Sequence, residues 1–368
     1  MNNNRPTQEE LAKRKAEQEQ AAKANNPQNN TATAATADLG AFAYSNAQPT
    51  AKDGVTVIEN KDVKLTINNK GGDLKEVLLK QFKTYESMPV YLIKDKNAIF
   101  ALNFKTTQGQ ELNTQQLYFE PSLSQKDGKQ LLSMKVKTGE NSYLEYVYTL
   151  PAEGYMVDVA VRSQGLSGVL NSQNPIELVW GLKARRMEKS VTYENRYTQS
   201  AIRYADDKIN RMSQGGNSGT KEEQVSWVAY KQHLFTSVLI SDSAFANGDF
   251  LSYNIANEES KDVKYTKNLK STFPLKTKGG ELSESLHFYF GPSDYNVLKQ
   301  YNDKYELTEL IPLGWGIFGW LNKWLFIPLY NFLANYFSVG LVIILMTIIV
   351  RLLLSPIVYK SYVSQAKM

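Results

Sequence analysis

Residues 155–162 read Tyr-Met-Val-Asp-Val-Ala-Val-Arg, and their pattern decides the fold class. Tyr155, Val157, Val159 and Val161 fall on one face of an extended chain, and a more mixed set falls on the other. A period of two with β-branched residues on one side marks a strand. Working outward, residues 143–150, 176–180, 225–230, 234–240 and 286–290 read similarly, and this grain holds from Val55 to about Phe290. Many strands separated by turn residues predict a sandwich or a large barrel. Gly71-Gly72 supplies a turn between 63–67 and 74–79, whereas the Gly- and Ser-rich residues 213–223 are expected to form a mobile loop.

The flanks differ. Half of residues 1–50 are Asn, Gln or Ala, with few bulky apolar side chains; such a stretch cannot bury enough surface to offset its ordering entropy and reads as a tether. Thr7 and Glu10 form a capping-box pattern that favours a short exposed helix to about Ala24. No charged n-region followed by an apolar core opens the chain, so no signal peptide is expected. After Gly291-Pro292 the spacing turns helical, with Tyr295, Leu298, Tyr301 and Tyr305 about a turn apart. Residues 313–335 then carry Trp315, Trp320 and Trp324 among other aromatics, a single Lys323, and Pro328. That composition suits the headgroup level of a bilayer.

Residues 339–359 hold 16 apolar side chains in 21 positions, about 31 Å of helix, one hydrocarbon thickness. Lys360 and Lys367 follow, while the preceding 20 residues hold only Lys323, so positive-inside bias puts the C-terminal end in the cytoplasm and the β region outside. Arg351 falls near mid-bilayer, where an Arg costs about 2.5–3.5 kcal/mol unless solvated or paired. Thr347 at i−4 and Ser355 at i+4 share its helix face, which reads as the wall of a watery cavity, and Pro356 frees the Leu352 carbonyl, so a kink or wetted backbone is expected there. The expected division is therefore a tether over 1–50, a β domain over 51–292, a helical linker with an interfacial helix over 293–337, a span over 338–359 and a cytoplasmic start over 360–368.

Composition narrows the chemistry. The 368 residues carry 42 Lys+Arg against 37 Asp+Glu, a net +5 in scattered lysines, so no nucleic-acid partner is expected. Zero Cys excludes disulfides, thiolate zinc sites and thiol catalysis, and two His leave no His-rich metal cluster. No cofactor, metal or catalytic residue is called for.

Thr347-Ile348-Ile349-Val350-Arg351-Leu352-Leu353-Leu354-Ser355-Pro356, followed by Lys360, is similar to the second transmembrane helix of the YidC/Oxa/Alb membrane-protein insertase family and the opening of its cytoplasmic hairpin. Trp227-Val228-Ala229 with Gln232 and Phe235, Phe288-Tyr289-Phe290-Gly291-Pro292, and Glu59-Asn60 leading to Gly71-Gly72 resemble landmarks of the large periplasmic domain of its Gram-negative members. The resemblance implies a mainly β supersandwich akin to galactose-mutarotase folds, then an interfacial amphipathic helix and one transmembrane helix. It also implies a transmembrane helix upstream of Asn4-Arg5-Pro6-Thr7 and further core helices beyond Met368, so that the chain reads as a fragment of a multi-pass inner-membrane protein. The implied function is insertion and folding of membrane proteins without a covalent step, with Arg351 facing a hydrophilic groove walled by Thr347 and Ser355. Nascent membrane proteins, the Sec translocon, the ribosome and the lipid bilayer are the implied partners.

A different class stays open: a membrane-anchored periplasmic sandwich that binds carbohydrate or epimerises it, for which His233 or His287 with Glu177, Glu194 or Glu222 would supply acid and base. A third reading makes the outer domain a docking surface for other secretion components.

Overall fold

Val157, Val159 and Val161 are buried along the strand Met156–Gln164, which lies between Tyr143–Leu150 and Ser283–Pro292 in an antiparallel sheet. Each such valine stabilises the fold by roughly 1.5–3 kcal/mol through burial. Structure is described for residues 39–212, 216–256 and 262–366 in this computed structural model; the helix expected after Thr7, and Lys367, lie outside the described residues.

The chain folds into a mainly β sandwich. One sheet has 13 strands and a second, formed by Val55–Glu59, Val63–Asn68, Leu74–Lys83 and Pro89–Ile93, has four. The 20-residue strand Phe235–Asn254 joins two parts of the larger sheet: its first residues pair with Ser283–Pro292 and its last with Tyr265–Leu275. Ala244, with φ +54°, stands between these two paired regions. The core is aromatic. Trp180 and Tyr230 stack with centroids 4.0 Å apart, and the Tyr230 hydroxyl donates to the Trp180 carbonyl at 2.9 Å. Burial of the Tyr230 ring therefore leaves its hydroxyl satisfied.

The landmark residues have local tasks. Asn60 is buried; its amide donates to the carbonyls of Pro151 and Gly154, and its side-chain oxygen accepts from the N–H groups of Asp62 and Val63. Gly71 and Gly72 have φ of +95° and +66° in the predicted turn, a backbone region open to glycine at no steric cost. Gly291 is needed for space: a Cβ there would lie 2.6 Å from the Tyr289 hydroxyl oxygen.

Three expectations are corrected. The tether reading fails over residues 39–50, because Leu39 and Phe42 are buried in the sandwich core and the short helix Ala43–Asn46 is held by Ser45 Oγ donating to the Tyr118 carbonyl. The loop expected at 213–223 is strand from Ser218, since Ser218–Lys231 pairs with Phe235–Asn254 as far as Ser252; residues 213–215 lie outside the described residues. Nor does packing change at residue 292, since Leu298, Leu307 and Leu310 enter the same core as the strands. Tyr301 Oη accepts from the Tyr155 N–H at 2.9 Å, Trp227 Nε1 donates to the Tyr305 carbonyl at 3.0 Å, and Arg203 pairs with Glu306.

Candidate functional site

The helix Val339–Ala366 runs unbroken through Pro356. Within it, Val339–Pro356 is long and apolar enough to cross a membrane, and of these residues Val342 alone is buried. The apolar side chains of this stretch, left open to solvent, would form a large contiguous apolar surface, far beyond what water tolerates on a monomer. Arg351 is exposed in the middle of this surface, and among the described residues no ion pair reaches it. Thr347 and Ser355 lie one turn to either side and are also exposed. Thr347 Oγ1 donates to the Ile343 carbonyl at 2.8 Å, so its proton is spent on the helix and its lone pairs remain free to accept.

The preceding aromatic segment is helical over Gly316–Leu321, widens into a π turn over Asn322–Phe326 and returns to α over Ile327–Ala334. The cause is Pro328. It has no N–H for the Trp324 carbonyl, and its ring crowds that carbonyl; one inserted residue relieves both. Trp315, Trp320 and Trp324 are 87%, 60% and 64% exposed, which in a segment whose one charged residue is Lys323 leaves the indoles presented outward, as a bilayer interface would accept them. Leu333 packs where this helix turns back onto Val339–Ala366, and the Val342 N–H donates to the Ser338 carbonyl at 3.0 Å.

The carbohydrate reading nominated residues that the fold spreads over separate environments. His287 bridges strands: Nδ1 lies 2.8 Å from Asp158 and Nε2 3.1 Å from Asp242, which also pairs with Lys304 at 2.9 Å. Burial pulls the His287 pKa down, but hydrogen bonds and charge from Asp158 and Asp242 together outweigh it and leave the value raised. His233 Nδ1 lies 2.7 Å from Glu188, with Tyr193 and Tyr197 against the ring. Glu194 is buried nearby, accepting from the N–H groups of Met187 and Glu188, and burial pushes its pKa up to about 7. Glu222 is occupied by Tyr204, Asn210 and Thr220. Burial there favours the neutral acid, yet those three hydrogen bonds outweigh it and lower the pKa. Glu177 is exposed in the strand Ile176–Arg185. Every one of these groups except Glu177 is held by a partner that accounts for it structurally, and no nominated His is bonded to a nominated Glu among the described residues. Nothing local in the sequence marks Glu188, Asp158 and Asp242 as partners of these histidines, because each pair meets only across distant segments of the chain.

A family model described as the YidC periplasmic domain matches residues 55–328. A membrane protein insertase YidC from Parabacteroides distasonis is 35% identical over 323 residues, covering 85% of this chain and 50% of the relative. The chain thus spans about half the length of the curated relatives it matches. Among solved structures, the periplasmic domain of Thermotoga maritima YidC is 12% identical, with 70% of this chain and 94% of that one covered at a TM-score of 0.36. A putative aldose 1-epimerase from Escherichia coli K12 is 8% identical, with 65% and 99% covered at 0.40.

Proposed function

Because the chain belongs to the YidC periplasmic-domain family, we propose that it supplies the outer domain and one core span of a membrane-protein insertase and chaperone of the bacterial inner membrane. In this reading the sandwich stands in the periplasm, residues 313–335 lie along the outer leaflet, residues 338–359 cross the bilayer, and Lys360 marks the cytoplasmic end. The complete protein is multi-pass and works on nascent membrane proteins, alone or with the Sec translocon and ribosome. One observation carries the mechanism: Arg351 stands within an exposed apolar helix with no ion pair among the described residues.

Arg cannot shed its proton, so a hydrated groove around it is the inexpensive way to keep it at that depth. A fixed cation in such a groove lowers the cost of drawing an acidic extracellular segment of a client partway into the membrane, by up to a few kcal/mol at low effective dielectric. Thr347 and Ser355 line the same face and accept hydrogen bonds. The client's apolar segment then partitions into lipid, which supplies the driving force. No bond is made or broken.

The test is Arg351→Ala in the complete protein. The span becomes more apolar, so the protein should accumulate normally, while insertion of acidic-tailed clients falls. Arg351→Lys should retain more insertion than Ala, since a point cation preserves the field. Equal insertion of acidic-tailed clients by wild type and Ala, at matched protein levels, would refute the charge trap.

A further inference from the structure

A cavity of about 690 Å³ separates the end of the helical linker from the start of the aromatic helix, a volume within the range of small-ligand sites. Its walls carry both signs of charge. Glu306 and Glu309 come from the linker, Arg211 from the strand Ile209–Arg211, and Lys323 from the aromatic helix, beside the indoles of Trp315 and Trp320. Two of these charges are already engaged. Glu306 pairs with Arg203, and Arg211 Nη2 donates to the Glu309 carbonyl at 2.6 Å, which keeps its guanidinium at the wall. The Glu309 carboxylate and the Lys323 ammonium are exposed and make no ion pair among the described residues; Lys323 Nζ stands 5.9 Å from the centroid of the Trp324 ring.

An unpaired carboxylate on one wall and an unpaired ammonium on the other, with room between them, complement a zwitterion. We propose that this cavity holds the headgroup of a phospholipid bearing a phosphate and a primary ammonium, the phosphate toward Lys323 and the ammonium toward Glu309. The proposal rests on the reading that residues 313–335 lie in the outer leaflet, where the exposed Trp315 and Trp320 would flank the glycerol end. A choline headgroup has no N–H to give Glu309, and a glycerol headgroup leaves that carboxylate facing an uncompensated phosphate; both fit the charges less well. Occupancy would tie the sandwich, through its linker, to the leaflet and so fix the orientation of the domain above the membrane.

The test uses the full chain in phosphatidylcholine vesicles doped with a photoactivatable lipid whose headgroup is ethanolamine, choline or glycerol, with crosslinks mapped by mass spectrometry. Labelling of residues 306–323 should be at least fivefold higher for ethanolamine than for either other headgroup. Glu309→Gln and Lys323→Ala should each bring it down to the choline level, with vesicle co-flotation and circular dichroism unchanged because both side chains are exposed and the indoles remain. Equal labelling by the glycerol lipid, or ethanolamine enrichment that survives both substitutions, overturns the proposal. Indole quenching by lipids brominated near the headgroup separates the two levels. Quenching without headgroup preference removes only this inference, whereas no quenching overturns the interfacial reading and the inference together.

Discussion

Replacing Phe42 with Ala asks whether the segment ahead of the first strand belongs to the core. The ring is fully buried, 5.1 Å from Phe104 at an interplanar angle of 54°. Losing its burial costs roughly 1.5–3 kcal/mol, and losing the ring pair adds about 0.5–1.5 kcal/mol. With the cavity left behind, the total approaches the roughly 3–5 kcal/mol typical of a buried Phe→Ala change. A ceiling applies, because the segment is short and is held otherwise by Leu39, by Ser45 donating to the Tyr118 carbonyl and by the Tyr118 N–H donating to Asn46 Oδ1 at 3.2 Å. Once it detaches no further stability can be lost, so Phe42→Ala and deletion of residues 39–50 should cost the same to within about 1 kcal/mol. Urea unfolding of residues 39–311, followed by the fluorescence of the buried Trp180 and Trp227, measures both. Tyr44, 38% exposed, serves as the control, and its replacement by Ala should cost about 0.5 kcal/mol or less. A Phe42→Ala loss below about 1 kcal/mol, or one no larger than the Tyr44 control, would refute the packing argument and return residues 39–50 to the status of a tether.

Other expectations follow from single groups. Since burial raises the Glu194 carboxyl to about 7, the folded state keeps a proton that the unfolded chain gives up near pH 4.5, so stability falls as pH rises between those values and levels off above about 7. The loss is roughly 3 kcal/mol at most. Glu194→Gln should flatten that slope in unfolding experiments across pH; an unchanged slope would assign the dependence elsewhere. Gly291→Ala places a methyl 2.6 Å from the Tyr289 hydroxyl oxygen and 2.8 Å from Tyr155 Cγ and should cost about 1–3 kcal/mol, while Gly168→Ala, with nothing within 4 Å, should be near neutral in the same melts. These 368 residues have no Cys, so Asn322→Cys, placed in the complete protein with any Cys elsewhere replaced by Ser, reports cleanly on topology: an impermeant maleimide should label it from outside intact cells, and protection from both sides would mean that residues 313–335 do not lie at the outer face.

Sequence alone determined the elements whose environment is uniform along the chain. Tyr155, Val157, Val159 and Val161 alternate because a strand turns every second residue to one side, and all four are buried. The apolar run at 339–359 and the place of Arg351 along it were legible because helix rise per residue is fixed, so counting residues measures length along the axis. Tertiary structure decided what depends on partners distant in sequence. Polar residues from Ser218 onward are strand because they complete a ladder with Phe235–Asn254, a gain that outweighs their local preference for turns. Leu39 and Phe42 sit in an otherwise polar stretch, and only the cleft beside Phe104 turns them into core. Arg203 meets Glu306 across 103 positions, and His287 gains two carboxylates from other strands. The linker's attachment to the sandwich and the cavity between Glu309 and Lys323 arise from such pairings. No periodicity encodes them, because their energy comes from groups that meet only after the sheet has closed.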